Sequence, residues 1–108
     1  MLRVAVLVSG RGSNLQALLA ACAEPAFPAR IVVVGCNRAE APAMAYAQAA
    51  GVPVCLVDRG TSGSRAARQA ALLERLRVMR VELVVLAGFD EILSNAFVEA
   101  YRGRIINT

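Results

Sequence analysis

Residues 6–19 read VLVSGRGSNLQALL, an apolar strand that passes through a short glycine turn directly into an amphipathic helix. The strand pattern reaches back to Arg3, and the helical pattern runs from Leu15 to Cys22. Glycine lets the backbone of the turn at 9–14 adopt positive φ and approach an anion closely. The free N–H groups and the positive dipole end of the helix favour negative charge at the same place. The stretch therefore predicts a strand-turn-helix unit that holds a phosphate.

The side chains of the turn and the spacing of its glycines indicate which class of phosphate compound it binds. Ser13 and Asn14 add donors, and we expect one of them to cap the helix. Leu15 stands where a dinucleotide-binding fingerprint has its third glycine, and VVVGCNR at 32–38 lacks the acidic ribose ligand. A Walker A loop is excluded because the chain contains no lysine. A monophosphate fits best, and the alternative is a glycine turn needed only for packing.

Composition and cysteine spacing limit the classes of protein to which this chain can belong. The chain has 108 residues, of which 57% are hydrophobic, enough to bury the core of one domain. Its apolar runs are too short for a membrane span, and no signal-peptide pattern precedes the first strand, so we expect a cytoplasmic protein that does not bind membranes. The cysteines (Cys22, Cys36, Cys55) lack metal-ligand spacing, and no histidine is present to activate a thiol. We expect neither a metal site nor a catalytic cysteine.

The net charge of +4 comes from an excess of arginine. The arginines are scattered through the chain and only 5% of residues are aromatic, which disfavours nucleic acid as a partner. Small anionic substrates suit this charge better.

Strand-like and helix-like segments alternate along the whole chain. The predicted strands are 3–8, 30–35, 54–57, 82–87 and 103–106, and the predicted helices are 15–23, 41–50, 64–80 and 95–101. The long helix has an apolar stripe at helical spacing, formed by Gln69, Leu72, Leu73, Leu76 and Met79. This order predicts a single α/β domain with a doubly wound, Rossmann-like parallel sheet and the first strand at its centre. Ligands of such sheets bind beyond the carboxyl ends of the strands, which here carry residues 9–14, 36–38, 88–93 and 107–108.

Three of these segments resemble one known family. VLVSGRGSNLQALL (6–19), VVLAGFDEILSNAFV (84–98) and GRIIN (103–107) are similar to the motifs SGxGSN, LAGFMRILSxxFV and GRxxNIHPSLLP of the phosphoribosylglycinamide formyltransferases. The similarity runs along the whole chain. It implies the formyltransferase fold, with 10-formyltetrahydrofolate as formyl donor and glycinamide ribonucleotide as acceptor in purine biosynthesis. These two small molecules are the expected partners.

The resemblance also implies roles for individual residues. Gly12, Ser13 and Asn14 match residues that hold the substrate phosphate, in agreement with the interpretation of the turn. Asn107 matches the catalytic asparagine, whose amide donates hydrogen bonds to the tetrahedral oxyanion. The positions that match folate-binding residues are Arg65, Leu86, Asp90, Glu91, Ile92, Leu93, Phe97 and Val98. The main chain of 90–93 would meet the pteridine edge; without the family, the apolar side chains of this set are simply core residues.

Two features depart from the family pattern. Asp90 and Glu91 stand where the pattern has Met and Arg, and two carboxylates pointing inward would repel the anionic tail of a folate. The family's catalytic histidine and a later aspartate have no counterpart in these 108 residues. We therefore expect the chain to be the amino-terminal part of a longer enzyme, truncated at the active-site loop and inactive alone.

Several alternatives stay open. A formyltetrahydrofolate hydrolase, or another formyl-folate transferase acting on tRNA or a sugar nucleotide, would share the asparagine but generally lacks SGxGSN. A non-catalytic phosphosugar-binding module would need only the glycine turn. An NADP-binding domain would use Arg38 for the 2′-phosphate, although the third glycine is missing. The sequence does not decide between a monomer and a homodimer.

Overall fold

Strands and helices alternate from one end of the chain to the other in a computed structural model that describes residues 1–108. The strands are β1 (Leu2–Val8), β2 (Ala29–Cys36), β3 (Val54–Leu56), β4 (Leu83–Leu86) and β5 (Ile105–Asn107). The helices are α1 (Ser13–Cys22), α2 (Ala43–Ala49), α3 (Arg65–Val78) and α4 (Asn95–Ala100). All the predicted elements are present, and their ends differ from the prediction by one or two residues, as expected where terminal hydrogen bonds fray.

The five strands form one parallel sheet in the order β3-β2-β1-β4-β5. The central position of β1 is confirmed, and its residues 5–8 have no exposed surface. Strand order reverses between β1 and β4, because β2 and β3 lie on one side of β1 while β4 and β5 lie on the other. The crevice at such a reversal is where doubly wound sheets bind their ligands.

Alternate side chains of β1 enter two separate cores. Val4, Val6 and Val8 pack with residues of α1 and α2, whereas Ala5 and Leu7 pack with residues of α3 and α4. The buried residues of α3 are Arg68, Gln69, Leu72 and Leu76. The predicted stripe therefore faces the sheet, and a charged residue that sequence reasoning did not single out is buried with it.

Part of the sheet has no helix over it. Beside α1, residues of β1, β4 and β5 line a groove of about 540 Å³ that includes Val4, Leu83, Val85 and Ile106. Ile106 is 48% exposed. Parallel sheets are usually covered on both faces, so this groove is an apolar surface that the described residues leave open.

None of the helices combines the length and the apolar character needed to cross a bilayer.

Gly35 of β2 allows α3 to lie close against the sheet. A Cβ at this position would lie 2.6 Å from Leu7 Cδ2 and 3.0 Å from Leu72 Cδ1. Both leucines are fully buried, so neither can make room without disturbing the packed core around it.

Replacing Gly35 by alanine should lower the free energy of unfolding by about 1–3 kcal/mol, the usual cost of overpacking. Gly10→Ala is the matched control, because a Cβ at Gly10 meets nothing within 4 Å. That variant should change stability by less than about 0.5 kcal/mol. Urea unfolding followed by circular dichroism measures both values, and equal stabilities for the two variants would contradict this account of the packing.

Candidate functional site

The glycine turn between β1 and α1 is held by close contact with α2. Gly12 is the N-cap of α1 and has a φ of 81°. A Cβ at this position would lie 2.6 Å from the Cβ of Ala43. The N–H of Ala43 donates to the carbonyl oxygen of Gly10 at 3.2 Å, which fixes the turn against the start of α2. Both the backbone conformation and the available space therefore require glycine at position 12.

The first amides of α1 have no acceptor in the protein. The helix begins its hydrogen bonding with Gln16 N–H, which donates to Gly12 O at 2.8 Å, whereas the N–H groups of Ser13, Asn14 and Leu15 are unpaired. The prediction that Ser13 or Asn14 caps α1 is wrong, because no side chain forms a capping hydrogen bond at the start of this helix. Ser13 and Asn14 lie inside the helix rather than before it, so Gly12 occupies the capping position. Three free amides at a positive dipole end are a ready site for an anion.

Asn14 connects this turn to the end of β5. Its Nδ2 donates to Thr108 Oγ1 at 3.3 Å. Thr108 in turn donates to Leu86 O from its N–H at 3.0 Å and from its hydroxyl at 3.1 Å. The neighbouring Asn107 pairs with Leu86 in the sheet and is exposed. Asn14, predicted to hold the phosphate, therefore contacts the residue that follows Asn107, which is predicted to act in catalysis.

Asp90 lies beside the reversal of strand order and connects three loops. Its Oδ1 accepts hydrogen bonds from Ser9 Oγ and from Asn37 Nδ2, both at 2.9 Å. Its Oδ2 lies 2.5 Å from Arg38 Nη2 and 2.9 Å from Arg59 Nη1. Burial alone would raise the pKa of Asp90, but the hydrogen bonds from Arg38, Asn37 and Ser9 outweigh it and hold that pKa well below its usual range.

Glu91 is more deeply placed, with a side chain that is 4% exposed. Its Oε2 accepts a hydrogen bond from Asn37 Nδ2 at 2.7 Å, so one amide nitrogen serves both carboxylates. Its Oε1 lies 3.2 Å from Arg68 Nη2 and accepts a hydrogen bond from Gln69 Nε2 at 3.2 Å. Burial would raise the pKa of Glu91, but the hydrogen bonds from Asn37, Gln69 and Arg68 outweigh burial and lower it.

An inward-pointing carboxylate at position 90 or 91 would repel an anionic ligand, but both carboxylates form ion pairs within the protein. Three guanidinium groups, those of Arg38, Arg59 and Arg68, face the two carboxylates. The charges of Asp90 and Glu91 are therefore compensated inside the protein.

The main chain that follows Asp90 has free hydrogen-bonding groups. The N–H groups of residues 91–93 have no acceptor in the protein. The carbonyl oxygens of residues 90 and 91 accept no hydrogen bond from a protein donor. Gln69 fixes the segment at its other end, because its Nε2 donates to Ile92 O at 2.9 Å and its Oε1 accepts from Ser94 N–H at 2.7 Å. This segment is held from behind while part of its backbone stays open to a ligand.

The remaining residues matched to a folate pocket lie in different surroundings. Ile92 is 76% exposed and Val98 is 38% exposed, while Leu86 and Leu93 are half-buried. Phe97 is completely buried, and its ring centroid lies 5.9 Å from that of Tyr101. The first four offer apolar surface near the open backbone, whereas Phe97 packs behind it.

Arg65 is not joined to this network. It is the first residue of α3, it is exposed, and its guanidinium forms no ion pair. Helical spacing instead places Arg68 of the same helix against Glu91.

Sequence reasoning missed Ser9, Arg59 and Arg68 as members of the charged network. Asn37 lay in a segment predicted to end at this edge, but its pairing with both carboxylates had no sequence signal. Gln69 belonged to the predicted apolar stripe, and its polar end reaches the edge from there.

The cysteines and acidic residues do not form a further reactive centre. No group of three or more His, Cys, Asp or Glu residues is placed to hold a metal ion. Cys36 is buried, its thiol donates to Arg38 O at 3.3 Å, and burial raises its pKa, so the sulfur stays protonated.

Comparison with known proteins gives consistent matches. The family model described as formyl transferase matches residues 2–108. Phosphoribosylglycinamide formyltransferase of Haemophilus influenzae is 35% identical over 107 residues, which is 99% of this chain and 50% of that protein. The trifunctional purine biosynthetic protein adenosine-3 of Bos taurus is 42% identical over 105 residues, 97% of this chain and 10% of that protein.

Solved structures match equally well. Glycinamide ribonucleotide transformylase 1 from Symbiobacterium toebii has a TM-score of 0.92 and 42% identity, covering 99% of this chain and 50% of that one. The corresponding enzyme from Geobacillus kaustophilus has a TM-score of 0.93 and 31% identity, covering 99% and 57%. The chain thus spans about half the length of the single-function relatives that it matches. Because the family model covers all but one of its residues, the chain belongs to the formyl transferase family.

Proposed function

We propose that the protein transfers a formyl group from 10-formyltetrahydrofolate to the amine of glycinamide ribonucleotide, a step of purine biosynthesis. The relatives named phosphoribosylglycinamide formyltransferase support this substrate pair. The observation that carries the proposal is the corner at which the free amides of α1 lie next to the end of β5. A phosphate bound to these amides would place the rest of a small substrate near Asn107.

The phosphate of the acceptor would lie on the glycine turn. Gly12 places the N–H groups of Ser13 and Asn14 at the helix start with no protein acceptor. The hydroxyl of Ser13 adds a donor, and the residue is exposed. An anion there gains charge-assisted hydrogen bonds and the favourable end of the helix dipole.

Asn107 would stabilise the reaction's charged intermediate. When the acceptor amine attacks the formyl carbon, the formyl oxygen becomes an oxyanion in a tetrahedral adduct, and positioned donors lower the energy of that state. The amide of Asn107 is exposed at the edge and donates without titrating. The adduct then collapses as its bond to the folate nitrogen breaks, and that nitrogen takes up the proton that the acceptor nitrogen releases.

The donor would lie along the segment after β4. The free N–H groups of residues 91–93 and the free C=O groups of residues 90 and 91 would pair with the acceptors and donors along a pteridine edge. Leu86, Ile92, Leu93 and Val98 would supply apolar surface for the ring. Arg65 at the start of α3 is free to meet the carboxylates of the folate tail. Phe97 supports this surface from within the core.

One competing function loses support. In an NADP-binding domain Arg38 would hold the 2′-phosphate, but its guanidinium is engaged by Asp90 at 2.5 Å. A hydrolase would use the same donor site with water as acceptor, and the assay distinguishes it: release of tetrahydrofolate without glycinamide ribonucleotide would favour the hydrolase.

Gly12→Ala should weaken binding of glycinamide ribonucleotide by about tenfold or more, a loss of about 1.4 kcal/mol per factor of ten. The added methyl would collide with Ala43 and the residue cannot keep a φ of 81° without strain, so the amides of α1 would shift. Isothermal titration calorimetry measures the affinity. Gly10→Ala is the control within the same turn, because open space surrounds its Cβ. Unchanged affinity in Gly12→Ala would reject the turn as the phosphate site.

Asn107→Ala should lower kcat by about 10²–10³, the usual effect of losing one oxyanion donor. The KM for glycinamide ribonucleotide should change little, because the phosphate anchor is intact. Gln48→Ala on exposed α2 is the matched loss of an amide and should leave kcat unchanged. Steady-state formation of the formylated product by the full-length protein that contains residues 1–108 measures these values, and a wild-type kcat in Asn107→Ala would refute the catalytic role.

A further inference from the structure

We infer that Glu91 and Arg68, with Asn37 between Glu91 and Asp90, are positioning residues that fix the main chain of residues 90–93 for the formyl donor. The inference deepens the proposed function and rests on it for the identity of the donor. It concerns two positions, 90 and 91, at which this chain departs from the family pattern.

The segment between β4 and α4 needs such support because it has no regular structure of its own. Gly88 opens it with a φ of 75°, and the next helix begins only at Asn95. Backbone hydrogen bonds do not hold residues 90–93. The segment is fastened instead through side chains, by Ser9 at Asp90 and by Gln69 at Ile92.

The ion pair of Glu91 with Arg68 is buried on both sides. The two side chains are 4% and 8% exposed, and Arg68 Nη1 also donates to Gly63 O at 2.7 Å. A buried charge whose partner is removed is strongly unfavourable, so each of these groups confines the other to its present place. Because Arg68 belongs to the long helix α3, the pair ties the backbone at position 91 to a rigid element.

Asn37 locks the arrangement by its orientation. It is completely buried, its Nδ2 faces Asp90 Oδ1 at 2.9 Å and Glu91 Oε2 at 2.7 Å, and its own Oδ1 has no partner. Turning the amide over would place that oxygen against two carboxylates. The amide of Asn37 therefore has one favourable orientation, in which its nitrogen holds both acidic side chains.

Glu91 is the right residue for a test because its contacts avoid the phosphate turn. Asp90 bonds to Ser9, the first residue of that turn, whereas the polar partners of the Glu91 side chain are Asn37, Arg68 and Gln69. Losing its charge should therefore disturb the donor segment without touching the acceptor site. We therefore expect the KM for the formyl donor to change and the KM for the acceptor to stay nearly the same.

The experiment compares Glu91→Gln, Arg68→Gln and the double variant in the full-length protein that contains residues 1–108. Each single variant should raise the KM for 10-formyltetrahydrofolate by about tenfold or more, since a displacement near 1 Å is costly at a reacting site. The KM for glycinamide ribonucleotide should stay within twofold. The double variant should lose less than the product of the two single losses, because the residues act as one pair. Glu99→Gln, which breaks an exposed pair with Arg102, is the control and should change neither KM.

Direct binding provides the second measurement. Titration with 5-formyltetrahydrofolate, used as the probe, should show the same loss in the two glutamine variants and a smaller loss in Arg68→Lys, which keeps the charge and serves if a glutamine variant does not fold. A donor KM and a probe affinity that match wild type would overturn the inference, and so would equal shifts in both substrates that follow the change in Tm. If the full-length protein that contains residues 1–108 forms no formylated product, the proposed function fails, while the probe titration still decides whether the pair positions this segment.

Discussion

Burial of β1 on both faces is the constraint from which the rest of the structure follows. Residues 5–8 have no contact with solvent, so helices must cover the sheet above and below. Alternation along the strand sends side chains into two cores, one with α1 and α2 and the other with α3 and α4. With β1 in the middle, the chain must leave it in both directions, and the reversal brings the loops after β1 and β4 together.

Those loops gather unpaired polar groups because strand ends leave backbone amides without partners. The polar groups of the two loops differ in what they contact. At the start of α1 the free N–H groups stay open, which suits an anion. After β4 the carboxylates of Asp90 and Glu91 are compensated internally. Their pKa values are lower in the folded protein than in the unfolded chain, so their stabilising effect is complete above about pH 5 and is lost as the pH falls toward the lowered values.

The fold could be predicted from the sequence because hydrophobic periodicity and glycine turns act locally. Strand β1, the turn at Gly12 and the stripe on α3 each follow from residues within one segment. The helix cap could not be predicted, since Ser13 and Gly12 compete for the same position and the contact of Gly12 with Ala43 decides between them. The charged network was missed for a related reason: Arg68 and Glu91 are 23 residues apart, and their meeting depends on how α3 lies against the sheet.

The double use of the Asn37 amide also limits how this family can change. Methionine in place of Asp90 would leave Arg38 and Arg59 without their carboxylate, and arginine in place of Glu91 would bring a second guanidinium against buried Arg68. Only the second change removes a buried charge pair, so it should cost the protein more stability than the first. Residues 37, 68, 90 and 91 thus form one energetic unit, in which a change at one position alters what the others tolerate.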